Sequence, residues 1–422
     1  MAFMKSAILV CVTAVLTVYL PQLWTKTRPI ITAGTVQPGF EPVAKLFREN
    51  FENGVEYPTA GSALSVYYKG SKVVDIWGGY ADSEAGRPWK EDTLTVVFSA
   101  TKGMAALCMA VLVDRGHLDY DKTVASYWPE FAQNGKENVT VRTLLNHQAG
   151  LSEISDEDTY ALLGDQDALG EFLARYAPEW EPGTAQRYHS WSFGLYASQV
   201  LRRADPKHRT LGQFFKEEIS QPFGIDFHIG FPLELYHRYP RLSWASAYMW
   251  FKEMMSSPIM REFIWQRVKT GELGAIFKPA EFQEFMIPEK LALEQPSAYG
   301  VGTARALAKV YGTLANGGAT LKGQRLLSED VMKQFTDQAQ VEALGIPDGT
   351  PIILNLGFFI DEKAKRFGHP GAGGQHAIAD PQHKLGFGYV SSFLSTYTVG
   401  RDHRFHPLLE ETYKCIEKLE AK

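Results

Sequence analysis

A serine and a lysine, three residues apart, are the first candidates for chemistry in this sequence. Ser99 and Lys102 form the only S-x-x-K tetrad, at the start of a helix-like segment. Positions i and i+3 share one helical face, so the hydroxyl and the amine can reach each other. Burial disfavours the charged form of lysine, so a buried amine can accept the serine proton. The helix N-terminus adds positive potential where an oxyanion would form, and the pattern predicts a hydrolase acylated on Ser99.

A second interpretation of the tetrad is structural. Serine is a favoured N-cap residue, and Lys102 would then be a surface residue of the first helical turn. The segment Gly103-Met104-Ala105-Ala106 that follows Lys102 is a poor surface sequence, which favours a buried lysine.

Periodic apolar positions predict the elements that would hold this site. Residues 43–50 read as a short helix, and 62–68 with 72–78 as a β-hairpin. A third β-rich run, 93–98, leads into a helix that ends at Gly116. Its apolar stripe consists of Met104, Leu107, Cys108, Val111 and Leu112.

The second half of the chain returns to strands and ends in a helix. We predict helices at 304–315 and 406–419, and strands at 352–360, 377–379 and 385–391. Residues 120–290 look mainly helical. These elements predict an α+β fold, with an antiparallel sheet built from both chain ends, helices at the two termini and an inserted helical lobe.

The segment Val97-Phe98-Ser99-Ala100-Thr101-Lys102-Gly103 resembles the active-site segment of the serine β-lactamase and penicillin-binding-protein superfamily. The likeness is to the class C-like and esterase branch, which includes eukaryotic β-lactamase-domain proteins, and it covers the chain after about residue 40. Three further segments resemble family elements in the same order: 139–151, Pro182-Gly183-Thr184 with Tyr188-His189-Ser190, and 303–308 with Asn316-Gly317-Gly318.

The resemblance implies roles for the tyrosine segment. Tyr188 would be the partner acid or base, because a phenol beside an ammonium can carry phenolate character and relay the serine proton. Ser190 stands where relatives carry Asn or Ser and would donate a hydrogen bond to substrate. His189 is predicted to be incidental.

The third motif of the superfamily, K-[ST]-G on an edge strand, is altered in this chain. Here the sequence is Gly368-His369-Pro370-Gly371-Ala372, with His369 in place of the lysine and Gly371 as the small residue. By the same resemblance, Ala372 would offer its backbone N–H to the oxyanion together with Ser99. Pro370 replaces neither the cation nor the hydroxyl used on a β-lactam carboxylate. The substrate is therefore expected to be an ester, an amide or a small lactone.

Composition excludes several other classes of protein. The formal net charge is -5 without a basic cluster, which argues against nucleic-acid binding. Three cysteines exclude a disulfide framework, and Cys108 falls on an apolar stripe. No metal site and no cofactor are predicted, because no metal-ligand spacing appears among the histidines His376, His383, His403 and His406.

The N-terminus predicts entry into the secretory pathway. Lys5 precedes an apolar or small-residue run from Ser6 to Leu20, so we expect 1–34 to be a cleaved signal peptide or a membrane signal-anchor with its linker. The catalytic domain would span 35–422, with its lobe at about 120–290. A mitochondrial presequence is disfavoured, since the run is not amphipathic and Arg-rich. The triplet Asn138-Val139-Thr140 is a glycosylation sequon and fits a lumenal protein.

Three functional hypotheses remain open on the sequence. The main one is acyl transfer from a small molecule or short peptide to water. The second is a weak or inactive member that acts as a binding scaffold, which the altered 368–374 segment would explain. The third is peptidase or transpeptidase chemistry, with the aromatic-rich segment 236–285 setting the substrate. Whether the protein forms a homo-oligomer is also open.

Overall fold

A computed structural model describes residues 28–154, 156–245, 283–336, 353–361, 365–395 and 402–421. The N-terminal run, and with it most of the predicted signal or anchor, lies outside these residues. So does the greater part of the aromatic-rich segment 236–285.

One large sheet forms the centre of the described structure. Its strand order is β1-β3-β2-β13-β12-β11-β10-β9, all neighbours are antiparallel, and β4 pairs with β3. The described strands are β1 Thr32–Val36, β2 Gly61–Tyr68, β3 Ser71–Asp82, β4 Arg87–Pro88, β5 Thr95–Val96, β6 Phe227–His228, β7 Ser243–Trp244, β8 Val301–Gly302, β9 Ile353–Asn355, β10 Phe358–Asp361, β11 Arg366–Gly368, β12 His376–Asp380, β13 Leu385–Ser391 and β14 Phe393–Leu394.

Helices cover both faces of this sheet. The described α-helices are α1 Glu41–Glu52, α2 Ala100–Asp114, α3 Val141–Leu145, α4 Asp156–Leu162, α5 Gln166–Ala174, α6 Ser192–Ala204, α7 Leu211–Phe215, α8 Gln221–Phe223, α9 Pro288–Leu291, α10 Ala304–Ala315, α11 Glu329–Thr336 and α12 His406–Glu420. A π-helical turn, Lys216–Ser220, joins α7 to α8.

The terminal helices α1 and α12 pack together on one face of the sheet. Phe47 of α1 and Leu408 and Ile416 of α12 are buried there, against strand residues such as Val66 and Phe387. Helices α2 and α10 cover the opposite face and belong to the larger core, which continues into the helical lobe. The sheet is therefore a middle layer, and both of its faces are buried.

Helix α10 lies unusually close to β13. Thr303 caps the helix by accepting a hydrogen bond from the Ala306 N–H at 3.0 Å. A Cβ atom added at Gly386 of β13 would lie 2.1 Å from the Gly312 backbone nitrogen. The glycines let the helix and strand backbones meet, and this contact holds α10 beneath the centre of the sheet.

Most of the predicted elements are confirmed. The bounds of β13 and α10 agree with the prediction, and the helix predicted at 43–50 extends over Glu41–Glu52. The mixed fold and its sheet from both chain ends are as expected.

Four details differ from the prediction. The predicted linker up to residue 34 contains part of β1, which pairs with β3 at the sheet edge. The run 93–98 forms only the short strand β5. The segment 352–360 is a hairpin, because Leu356 and Gly357 adopt φ values of +48° and +84° and turn the chain. The segment 368–374 follows β11, which is an inner strand and not the predicted edge strand, since β10 and β9 extend the sheet beyond it.

Within the described residues, no helix has both the length and the apolar character that a membrane crossing requires.

Candidate active site

Ser99 stands at the junction between β5 and α2. The preceding residue, Phe98, has a φ of +48°, a strained value for a large side chain. Ser99 itself has helical backbone angles, and its side chain makes no capping hydrogen bond to α2. The N-cap interpretation of this serine is therefore wrong. The sharp turn at Phe98 leaves the hydroxyl available to other side chains.

Lys102 is fully buried, with its amine directed at Ser99. The distance from Nζ to Ser99 Oγ is 3.3 Å, and Nζ also donates to the backbone carbonyls of Ser190 at 2.6 Å and Ser297 at 3.0 Å. A neutral amine has two N–H groups and one lone pair. In a neutral amine, the two carbonyls would take the two N–H groups and leave the lone pair for the serine proton.

Burial lowers the pKa of Lys102 well below its usual value. Both contacts besides Ser99 are neutral carbonyl oxygens, which solvate the amine without supplying a negative charge. Burial thus shifts Lys102 toward the uncharged amine, the form that a general base requires.

Tyr188 hydrogen-bonds to the Ser99 side chain, and the Lys102 amine lies 4.8 Å from its ring centre. Desolvation raises the pKa of Tyr188 above its usual value, more than the bond to Ser99 lowers it. Desolvation therefore works against the predicted phenolate character in the resting site, and the role of Tyr188 as acid or base stays a prediction. In its neutral form, the phenol can donate a proton.

His147 is a neighbour that the sequence interpretation did not single out. Its ring stacks on Tyr188 at 5.1 Å and on Phe193 at 4.8 Å. Its Nδ1 accepts the backbone N–H of His189 at 2.9 Å. The ring thus packs the tyrosine between fixed groups. Its only signal in the sequence was its place in the 139–151 segment.

Two residues beside Tyr188, Ser190 and His189, make contacts that the sequence did not predict. Ser190 reaches the site through its backbone carbonyl, which accepts from Lys102, while the residue itself is exposed. Its predicted hydrogen bond to substrate stays a prediction. His189 is buried, and its Nε2 accepts the Leu151 N–H at 3.0 Å, which gives it a structural role in the loop.

The segment after β11 runs alongside the strand that precedes Ser99. A Cβ atom added at Gly371 would lie 2.1 Å from the Val97 carbonyl oxygen, so only glycine allows this approach. Ala372 follows directly. No acceptor among the described residues takes the backbone N–H of Ser99 or of Ala372. The roles predicted for Gly371 and Ala372 agree with this geometry, although they stay predictions.

His369 lies at the start of the same segment, directly after β11. It is buried, packs edge-on against Phe359 at 4.7 Å, and its Nδ1 lies 2.7 Å from the Pro370 carbonyl. That bond makes Nδ1 the donor and leaves Nε2 unprotonated, without a partner among the described residues. Burial lowers the pKa of His369 to about 3. The position therefore carries no positive charge at neutral pH.

Across the described residues, no group of three or more His, Cys, Asp or Glu side chains is arranged to hold a metal ion.

A sequence profile of the family described as Beta-lactamase matches residues 47–407, which is most of the chain. The chain belongs to the β-lactamase family. It is similar to the Esterase/beta-lactamase LipL of Mycobacterium tuberculosis, with 35% identity over 88% of this chain and 85% of that protein. Homologues of this kind are serine hydrolases, and the chain is an enzyme of the same superfamily.

Two solved structures share the fold over their full lengths. A family VIII carboxylesterase has a TM-score of 0.75 and 35% identity, covering 91% of this chain and 100% of that one. A penicillin-binding protein homologue from Caulobacter crescentus has a TM-score of 0.75 and 34% identity over the same shares.

Proposed function

We propose that this protein hydrolyses uncharged carboxylic esters through an acyl-enzyme on Ser99. The observation that carries the proposal is the buried Lys102 amine, whose Nζ lies 3.3 Å from Ser99 Oγ and is held by the carbonyl oxygens of Ser190 and Ser297 at 2.6 Å and 3.0 Å. Family membership and the esterase names of its relatives support the same reaction class.

In the acylation step, Ser99 Oγ attacks the ester carbonyl carbon and its proton passes to Lys102 Nζ. The carbonyl oxygen becomes an oxyanion, for which the N–H groups of Ser99 and Ala372 are the available donors. The C–O bond to the leaving group then breaks, and Tyr188 protonates the departing alkoxide. The Lys102 ammonium returns a proton to Tyr188, so the amine is again neutral.

In the deacylation step, a water molecule attacks the acyl carbon of the ester on Ser99. The proton of this water passes to Lys102, directly or through Tyr188, and Ser99 Oγ leaves with a proton in return. The product is a carboxylic acid, and the site is restored.

The electrostatics of the site favour a neutral substrate. The neutral His369 stands where the superfamily motif has a lysine, and it offers no cation to a substrate carboxylate. A charged acyl group would lose its hydration without gaining an ion pair there. We therefore place esters ahead of β-lactams, and also ahead of amides, whose leaving group is poorer.

Serine labelling and an ester pair test the proposal. A fluorophosphonate probe should label the wild type and the exposed-serine control Ser126→Ala, but not Ser99→Ala. A p-nitrophenyl succinate with its carboxylate capped as a methyl ester should be hydrolysed at least about tenfold faster than the uncapped form, a difference near 1.4 kcal/mol.

Three outcomes would contradict the proposal. Labelling that survives in Ser99→Ala removes Ser99 as the nucleophile. A chromogenic cephalosporin turned over faster than the capped ester would make the enzyme a β-lactamase instead. Absence of both labelling and turnover would favour the scaffold hypothesis.

We also propose that residues 1–34 direct the protein into the secretory pathway, where it is secreted or anchored. Asn138 lies exposed in a turn, as a glycosylation acceptor must. Cell fractionation, with a mobility shift on glycosidase treatment that Asn138→Gln abolishes, would support this location; a cytosolic, unglycosylated protein would contradict it.

A further inference from the structure

We propose that the buried ion pair of Arg404 and Asp402 positions the turn that carries the Ala372 N–H, so that Arg404 is a positioning residue for the reaction. The inference rests on the proposed function, in which this N–H binds the oxyanion. Neither residue was singled out for a role by the sequence interpretation.

Arg404 holds the turn through its backbone carbonyls. Its Nη2 donates to the Gly373 carbonyl at 2.7 Å, and its Nη1 donates to the Phe393 carbonyl at 3.0 Å. Gly373 directly follows Ala372. The guanidinium thus ties the residue after the oxyanion donor to β14, the neighbouring strand.

The guanidinium is itself held rigidly by Asp402. Nε and Nη2 donate to the two carboxylate oxygens at 3.1 Å and 2.7 Å, and both side chains are at most 1% exposed. This two-pronged geometry fixes the plane of an arginine, whereas a lysine could make only a single point contact.

The turn has a left-handed backbone conformation at two glycines, and Arg404 packs directly against it. Gly373 and Gly374 have φ values of +75° and +94°, and a Cβ atom on Gly374 would lie 2.0 Å from Arg404 Nη2. The backbone therefore rests directly on the guanidinium. Within the turn, Gly371 exchanges backbone hydrogen bonds with Gln375 at 2.8 Å and 3.2 Å, and the N–H of Ala372 remains unused.

The other side of the ion pair is closed by α1 and the central strands. Asn50 donates to the Arg404 carbonyl at 3.0 Å. The buried Glu56 accepts from Ser62 at 2.9 Å and from the Tyr389 hydroxyl. Burial raises the pKa of Glu56 more than the nearby Arg404 lowers it, and the carboxylate in direct contact with the guanidinium is that of Asp402.

Energetics favour a positioning role over a purely stabilising one. A buried ion pair loses hydration that its attraction roughly repays, so its contribution to folding is small when compared with an apolar pair. What the ion pair adds is a fixed orientation of the Arg404 guanidinium. Here the only backbone groups that the Arg404 fork reaches in the described structure, besides its own segment, are the carbonyls of Gly373 and Phe393.

The test is Arg404→Lys, which keeps the charge and loses the fork. We expect kcat to fall at least about tenfold with KM within about twofold, because the oxyanion forms only in the transition state. A trifluoromethyl ketone, which forms a tetrahedral oxyanion on the serine, should bind more weakly by the same factor as kcat/KM falls.

Arg209→Lys is the matched control. Arg209 forms a similar two-pronged pair with Asp205, at 2.8 Å and 3.0 Å, with side chains 8% and 2% exposed, but it lies between α6 and α7 in the helical lobe. This variant should lose stability while kcat per folded molecule and ketone affinity stay within about twofold of wild type.

The inference is overturned if Arg404→Lys, when folded, keeps wild-type kcat and ketone affinity, or if both lysine variants lose activity equally. If Arg404→Lys does not fold, Asp402→Asn decides, because it keeps Arg404 and removes only its fixed partner; unchanged kinetics in that variant overturn the inference. If the fluorophosphonate probe does not label Ser99 in the wild type, the proposed function is refuted instead.

Discussion

The two groups beside Ser99 Oγ, Lys102 and Tyr188, divide the acid–base work according to their surroundings. Burial lowers the pKa of Lys102, whereas desolvation raises the pKa of Tyr188 above its usual value. A base with a lowered pKa and an acid with a raised pKa are thus brought to the same hydroxyl. This assignment has a direct consequence for the pH dependence of the reaction.

We predict that kcat/KM falls on the acid side as the pH drops through the lowered pKa of Lys102, because protonation occupies its lone pair. Burial lowers the pKa of His369 to about 3, so the acid limb should persist in His369→Gln. Lys102→Arg should be inactive at every pH, since arginine stays protonated. The measurement is a profile of kcat/KM from about pH 5 to 10. If the acid limb is absent, or if it disappears in His369→Gln, Lys102 is not the general base.

At the scale of elements, the site forms where three backbone segments come together. The start of α2 supplies Ser99 and Lys102, the loop before α6 supplies Tyr188, and the segment after β11 supplies Ala372. The close contact between Gly371 and the Val97 carbonyl sets the spacing between the two candidate oxyanion donors. A methyl group at that contact should therefore separate them.

We predict that Gly371→Ala lowers kcat by about 10²–10³, the cost of losing one oxyanion donor, with little change in KM. The added Cβ would lie 2.1 Å from the Val97 oxygen and push the segment away. The control is Gly164→Ala, where no atom lies within 4 Å of the added carbon. Steady-state kinetics on the capped ester measure both variants. Wild-type kcat in a folded Gly371→Ala variant would show that this contact does not set the site.

At the scale of the whole molecule, the two chain ends fold together. β1 to β3 come from the N-terminal part and β9 to β13 from the C-terminal part, and β2 pairs with β13 at the centre. The terminal helices α1 and α12 cover that junction. Stability of the sheet should thus depend on α12, although α12 contributes no side chain to the site.

We predict that Leu408→Ala lowers the free energy of unfolding by about 2–5 kcal/mol, because Leu408 is fully buried between α12 and the sheet. The kcat per folded molecule should not change. Leu321→Ala is the control: its side chain is 62% exposed, and its effect should be within about 0.5 kcal/mol. Denaturant unfolding together with active-site titration separates the two quantities. A change in kcat for folded Leu408→Ala would indicate that α12 influences the site directly.

Much of the fold and half of the site were predictable from local patterns. The helix at 304–315 and the strand at 385–391 have strong periodicity, and the bounds were correct. β1 was missed because Thr32-Ala33-Gly34-Thr35-Val36 is short and weakly apolar, and only its pairing with β3 makes it a strand. His147 and Arg404 were missed as neighbours of the site because their partners are distant along the chain.

The sequence by itself determined the nucleophile candidate, its lysine three residues on, and the helix that aligns them, because helical periodicity is a local property. Only the tertiary structure decided the chemistry of that lysine. Its pKa is lowered by burial, and its lone pair is aimed by the carbonyls of Ser190 and Ser297, which stand far away in the chain. Desolvation likewise raises the pKa of Tyr188, which works against its predicted phenolate character. Desolvation depends on everything that packs around a group, and no short stretch of sequence contains that information.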